Sequence, residues 1–70
     1  MKSEILIKFG HRVREERQKK AWSQEKLATR AHVHRTYIGM IERAEKNITL
    51  GNINKIAVAL DINISDFFKT

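Results

Sequence analysis

The chain has 70 residues, with 14 Lys and Arg against 8 Asp and Glu, a formal charge of +6 at pH 7 with its three histidines neutral, and no cysteine or proline. Residues 1–70 therefore read as one small basic domain, and a chain of this size buries only about 60% of its unfolded surface, so that a second copy would add useful burial. The missing cysteines exclude disulfide frameworks, thiol nucleophiles and Cys-ligated zinc. No apolar run approaches the roughly 20 residues of a membrane span, and the start MKSEILIKFG lacks the apolar stretch of a secretory signal, so a soluble cytoplasmic protein with no membrane partner is expected.

Residues 4 to 20 set Ile5, Phe9, Val13 and Arg17 four apart, and Glu15 with Lys19 and Glu16 with Lys20 have the favourable i,i+4 orientation; a first helix is predicted here. Ser23 is a candidate N-cap for a short second helix, Gln24 to Ala31, that buries Leu27, Ala28 and Ala31. After His32 and Val33, a third periodic segment runs from His34 to about Ala44 with Tyr37, Ile38 and Ile41 inward. Lys46 to Ile48 form an irregular link. Thr49 then caps a fourth helix in which Ile53, Ile56, Ala57 and Leu60 recur at spacings of three and four, ending near Asp61. Ser65 is a candidate cap for a last turn of Asp66, Phe67 and Phe68, whose rings call for a core or a partner to cover them. The alternation of Ile48, Leu50, Ile62 and Ile64 is too short in each run to build a sheet, so the fold is read as all-α.

The charge is uneven. Residues 1 to 46 hold twelve basic and six acidic side chains, whereas residues 47 to 70 hold two of each. Such asymmetry points to a polyanion at the basic end, either nucleic acid or a membrane surface, set against the plainer reading of a solvated mixed-charge face. A membrane binder would need the apolar faces that this small core requires for itself. Enzyme chemistry lacks parts: there is no catalytic triad spacing and no glycine-rich phosphate loop, and the carboxylates mostly match lysines on helix surfaces. His32 and His34 form a lone His-x-His that belongs to a polar turn more readily than to a metal site, so no metal and no cofactor is assigned.

The stretch SQEKLATRAHVHRTYIGMIER, residues 23–43, resembles the helix-turn-helix of the small phage repressor and Cro class, the XRE family. Gln24 opens the first helix of the motif, Leu27 lies in its core face, and small Ala28 stands where the second helix approaches closely. Val33, Ile38 and Ile41 occupy the buried positions of the turn and second helix. NITLGNINKIAVALDINISDFF, residues 47–68, resembles the family's fourth and fifth helices, so the resemblance implies a five-helix, lambda-repressor-like domain. It also implies a buried ion pair between Arg17 and Glu42, which would explain a charge that continues the Ile5, Phe9, Val13 series, because an unpaired buried guanidinium costs several kcal/mol; the alternative is two exposed side chains. Two departures concern turns. The family commonly has glycine where this chain has Ala21, and often glycine in the turn of the motif where this chain has His32.

HRTYIGMIERAEKNITL is closer to one subgroup, the controller proteins of bacterial restriction-modification operons. The resemblance implies a sequence-specific transcriptional regulator whose partner is double-stranded operator DNA of pseudo-palindromic sequence, bound as a homodimer, with two dimers on adjacent sites. In such a motif the second helix enters the major groove, so Arg35, Thr36 and Tyr37 are the expected base readers. Arg35 suits the O6 and N7 of guanine, and the Thr36 methyl suits thymine. Tyr37 has two readings, DNA contact or internal packing, and Met40 likewise. Candidate backbone contacts are Ser23, Gln24, Arg43, Asn47, Thr49 and Asn52, several near helix starts whose amides attract anions. The neutral Ile- and Phe-rich tail supplies the expected dimer contacts, Ile48, Leu50, Asn54, Ile64 and Phe67. A general phage or chromosomal repressor, an antitoxin or another protein-interaction module of the same fold are the alternatives.

Overall fold

A computed structural model describes residues 3–68, apart from the side chain of Phe68, so the expected place of that ring lies outside the described residues. The order is α1 (Glu4–Lys19), α2 (Gln24–Ala31), α3 (Arg35–Glu42), α4 (Leu50–Leu60) and a 3-10 helix over Ile64–Phe68. The described residues thus form four α-helices and one 3-10 turn, and the five α-helices implied by the resemblance are not found. Ser65 lies inside the last segment instead of capping it, since Ile64 already starts the tighter coil. None of these helices is long and apolar enough to cross a membrane.

One core joins all the elements. Phe9, Val13, Leu27, Ile38, Ile56 and Leu60 are almost completely removed from solvent, with Ala28, Ala31, Ile41, Ala57 and Phe67 filling in between them. The α2–α3 pair packs together, with α1 against α3 and α4 against α2, and the 3-10 turn returns onto α1. There the Phe67 ring meets Phe9 at 4.8 Å between centroids with the planes tilted by 59°, a geometry that aromatic quadrupoles favour.

Two expectations for α1 need correction. Ile5 is 57% exposed, because a strict spacing of four drifts about 40° per step on a helix of 3.6 residues per turn and swings Ile5 away from the buried side. The same geometry turns Glu16, two turns after Phe9, onto the side of α1 that Phe9 occupies. It is buried, and its pairs are Arg12, Nε to Oε2 at 3.0 Å, and Lys19, Nζ to Oε2 at 3.1 Å. Burial pushes the Glu16 carboxyl up, but the hydrogen bonds and charges of Lys19 and Arg12 together outweigh it and leave the group below its ordinary value. Arg12 also donates from Nη1 to the Asp66 carbonyl at 2.7 Å, which fastens the 3-10 turn to α1.

All four helices stop the same way. Ala21, His32, Ala44 and Asp61 have φ between 57° and 59°, and in each case the next amide reaches back to the carbonyl five residues earlier: Trp22 to Arg17, Val33 to Ala28, Glu45 to Met40 and Ile62 to Ala57. This is the Schellman closure. Ala44 therefore ends the third helix earlier than its periodicity predicts. Its start shifts as well, because His34 is the N-cap and accepts the Thr36 amide on Nδ1 at 3.1 Å. Ser23 accepts from the Lys26 amide and Thr49 from the Asn52 amide in the same way.

At the centre Arg17 donates to Glu42 twice, Nε to Oε2 at 2.8 Å and Nη2 to Oε1 at 3.0 Å. The two side chains are 12% and 4% exposed. The third arm, Nη1, bonds the Trp22 carbonyl at 2.7 Å, and Gln24 adds its side-chain amide to Glu42 Oε1 at 3.1 Å. The hydrogen bonds that Arg17 donates to Glu42 raise its pKa against the opposing effect of burial. One network therefore fixes the end of α1, the start of α2 and the end of α3.

Close packing of α1 on α3 depends on Gly10, where a Cβ would overlap the Ile41 carbonyl oxygen and press on that of Glu42. Alanine is ordinarily the better helix former by about 1 kcal/mol, so Gly10→Ala tests the contact: backbone cannot yield as a side-chain tip does, and the variant is expected to lose roughly 1–3 kcal/mol in urea unfolding. A gain in stability would show that the helices separate at little cost. Glu42→Ala should cost about 3–5 kcal/mol because it strands the Arg17 guanidinium. Glu25→Ala removes an exposed carboxylate and should cost under about 1 kcal/mol. Thermal melts of the two variants, compared side by side, measure the difference.

Candidate nucleic-acid interface

The site is built where α2 and α3 diverge. His34 caps α3 and leaves Arg35 and Thr36 on its exposed first turn. Across from them the first turn of α2 presents Ser23, Gln24 and Glu25, and a shallow groove between the two helices runs along Arg35, Thr36, Gly39 and Arg43. Gly39 keeps this groove open: a Cβ there would stand 3.1 Å from Arg43 Nη1 and 3.3 Å from Gln24 Oε1. The guanidinium groups of Arg35 and Arg43, with the opening amides of α2 and α3 that the caps do not take up, supply donors along this groove. That set suits an anionic partner.

Individual side chains are more committed than their residue types imply. The Arg35 side chain, 66% exposed, donates from Nη1 to Glu25 Oε2 at 2.9 Å. Arg43 Nε holds Glu45 Oε1 at 3.0 Å. Gln24, expected to meet a phosphate, donates from Nε2 to Glu42 Oε1 at 3.1 Å, so part of its side-chain amide is committed inward. Tyr37 is half-buried, and its hydroxyl accepts from Asn52 Nδ2 at 3.0 Å, so Tyr37 and Asn52 form one unit linking α3 to α4. Asn47 and Thr49 are exposed in the link before α4, and Met40 is half-buried.

Of the residues expected at a dimer contact, Phe67 is corrected: it is 3% exposed within its own chain, because the 3-10 turn folds it onto Phe9. Ile48 and Ile64 are partly buried against the core. Leu50 and Asn54 are exposed on α4, and Val58, about 80° round the helix from Leu50, is 71% exposed, equal to Leu50. Within the apolar run IAVAL, Val58 stands opposite the buried Ile56, Ala57 and Leu60, as the helical period of that series requires. A feature absent from the sequence reading is Trp22, whose ring has Lys20 Nζ and the Arg30 guanidinium each 5.5 Å from its centroid. Lys and Arg at these offsets mean little until the left-handed Ala21 turns the Trp22 ring toward them.

Comparison with known proteins gives the context. A helix-turn-helix family model matches residues 13–67. Control protein C.BamHI of Bacillus amyloliquefaciens is 46% identical over 67 residues, covering 94% of this chain and 83% of that protein. Among solved structures, the restriction-modification controller protein C.AhdI of Aeromonas hydrophila superposes with a TM-score of 0.87 at 48% identity, over 90% of this chain and 96% of that one. The regulator SinR, solved in complex with DNA, superposes with a TM-score of 0.82 at 27% identity, over 87% and 98% of the two chains. The chain belongs to the XRE-type helix-turn-helix family.

Proposed function

We propose that this protein is a sequence-specific DNA-binding transcriptional regulator, the controller of a bacterial restriction-modification operon, that binds a pseudo-palindromic operator as a homodimer. The observation that carries the reading is the pair Arg35 and Thr36, exposed on the first turn of a capped α3 and flanked by the start of α2. A major groove about 12 Å wide admits a helix presented in this way. Membership of the family and the likeness to two control proteins support the same reading. Arg35 and Thr36 then face base edges. Tyr37, held by Asn52, contributes from beside them. Ser23, the backbone at Gln24, Arg43, Asn47 and Thr49 meet phosphates, which fix register without reading sequence.

The dimer brings two such helices about 34–36 Å apart, one turn of DNA. Leu50, Asn54 and Val58 on α4, together with Ile48 and Ile64, form the contact in this reading. Sedimentation equilibrium is expected to give a dimer at micromolar concentration, and Leu50→Glu to shift it toward monomer; a wild-type chain that stays monomeric at high concentration and on DNA would remove the dimer from the proposal.

A mobility shift on DNA from upstream of the gene, with salt varied, tests binding. Arg35→Ala should lose about 1–3 kcal/mol on the matched site and much less where its base pair has been changed. Arg43→Ala, acting on a phosphate, should weaken all sequences about equally and reduce the salt slope by roughly one unit. Equal losses on every site for Arg35→Ala would make it a phosphate clamp and pass specificity to Thr36, Tyr37 or DNA shape.

A further inference from the structure

Glu25 is the one carboxylate on the groove that runs along α3. Its position in the first turn of α2 is favourable to the helix dipole, but the dipole does not account for its direction. The side chain reaches ten residues along the chain to place Oε2 2.9 Å from Arg35 Nη1. Both members are about two-thirds exposed, 66% for Arg35 and 68% for Glu25. A negative charge beside the site of a polyanion works against binding unless it acts through something else, and the only bond formed by its carboxylate among the described residues is to Arg35.

We infer that Glu25 is a specificity-determining positioning residue that holds the Arg35 guanidinium toward base edges and keeps it off phosphates. This rests on the DNA-binding reading above. An arginine carries five N–H donors in a fixed planar fork, and Glu25 engages Nη1 alone, so enough donors remain for the two acceptors of a guanine. A free arginine on this surface has four rotatable side-chain bonds and would swing to whichever phosphate is nearest, gaining affinity for every sequence equally. The pair with Glu25 weights the side chain against that option without locking it. It also restricts the side chain before binding, so less rotamer entropy is lost on the correct base. Glu25 thereby lowers affinity for wrong DNA more than for right DNA, which raises the ratio between them.

The test uses a short duplex carrying the site that the wild-type protein selects from a random-sequence pool, together with duplexes in which each G·C pair of the half-site is changed singly. Wild type, Glu25→Ala, Glu25→Gln, Arg35→Ala and the double variant Glu25→Ala/Arg35→Ala are titrated at several salt concentrations, with circular dichroism confirming helix content. Removing Glu25 is expected to tighten binding to the changed duplex and to steepen its salt slope by about one unit. Affinity for the selected duplex should change less, so that discrimination falls roughly two- to fivefold, the range of an exposed ion pair. In the Arg35→Ala background the same removal should strengthen both duplexes equally and leave the ratio alone. A Glu25→Ala protein that binds both duplexes more tightly by one factor, while Arg35→Ala loses affinity only on the selected duplex, would overturn the inference and leave base reading by Arg35 intact. If Arg35→Ala weakens every duplex equally, the reading of bases by Arg35 fails and the inference fails with it.

Discussion

The bond network centred on Glu42 is the constraint on which the rest of the molecule depends. Arg17 from α1 and Gln24 from the first turn of α2 both donate to a carboxylate at the end of α3, and the remaining arm of Arg17 holds the Trp22 carbonyl in the turn between α1 and α2. A buried ion pair gains little net stability over an apolar isostere, but leaving either partner alone is costly. What it supplies here is geometry. The angle between α2 and α3 cannot change without breaking a bond to Glu42, and that angle decides where Ser23 and Arg35 stand relative to one another. The polar centre and the outward site are thus parts of a single arrangement.

Backbone geometry works to the same end. Four helices close through left-handed residues, and none of these is a glycine, although alanine pays about 1–2 kcal/mol for that conformation. The three glycines lie within helices instead, two of them where contact is close: Gly10 under the end of α3 and Gly39 beside Arg43 and Gln24. Each Schellman closure satisfies carbonyls at a helix end and redirects the chain within two residues. Short rigid turns of this kind suit a domain whose function requires two helices to keep a fixed crossing.

The charge of the site follows a different rule from the charge of the chain. The excess of Lys and Arg is consistent with attraction to DNA at long range, yet Arg35 and Arg43 each have a carboxylate within bonding distance. Exposed pairs of this kind exchange readily, since each is worth only about 0.2–1 kcal/mol. They leave long-range attraction to the more distant charges.

The sequence by itself determined the four α-helices, their Ser23 and Thr49 caps and most of the core, because these depend on local spacing and on side chains that bond within their own turn. Its resemblance to XRE-type repressors also identified the family and the stretch that matters. The tertiary structure decided what depends on residues distant along the chain or on accumulated rotation. It turned Glu16 inward and Ile5 outward through a drift of 40° per step, and tightened the last segment into a 3-10 turn that takes Phe67 into the core. It also joined Arg35 to Glu25 and Tyr37 to Asn52. No local signal announces such pairs, since each is an ordinary polar residue in sequence and becomes a partner only when two helices converge.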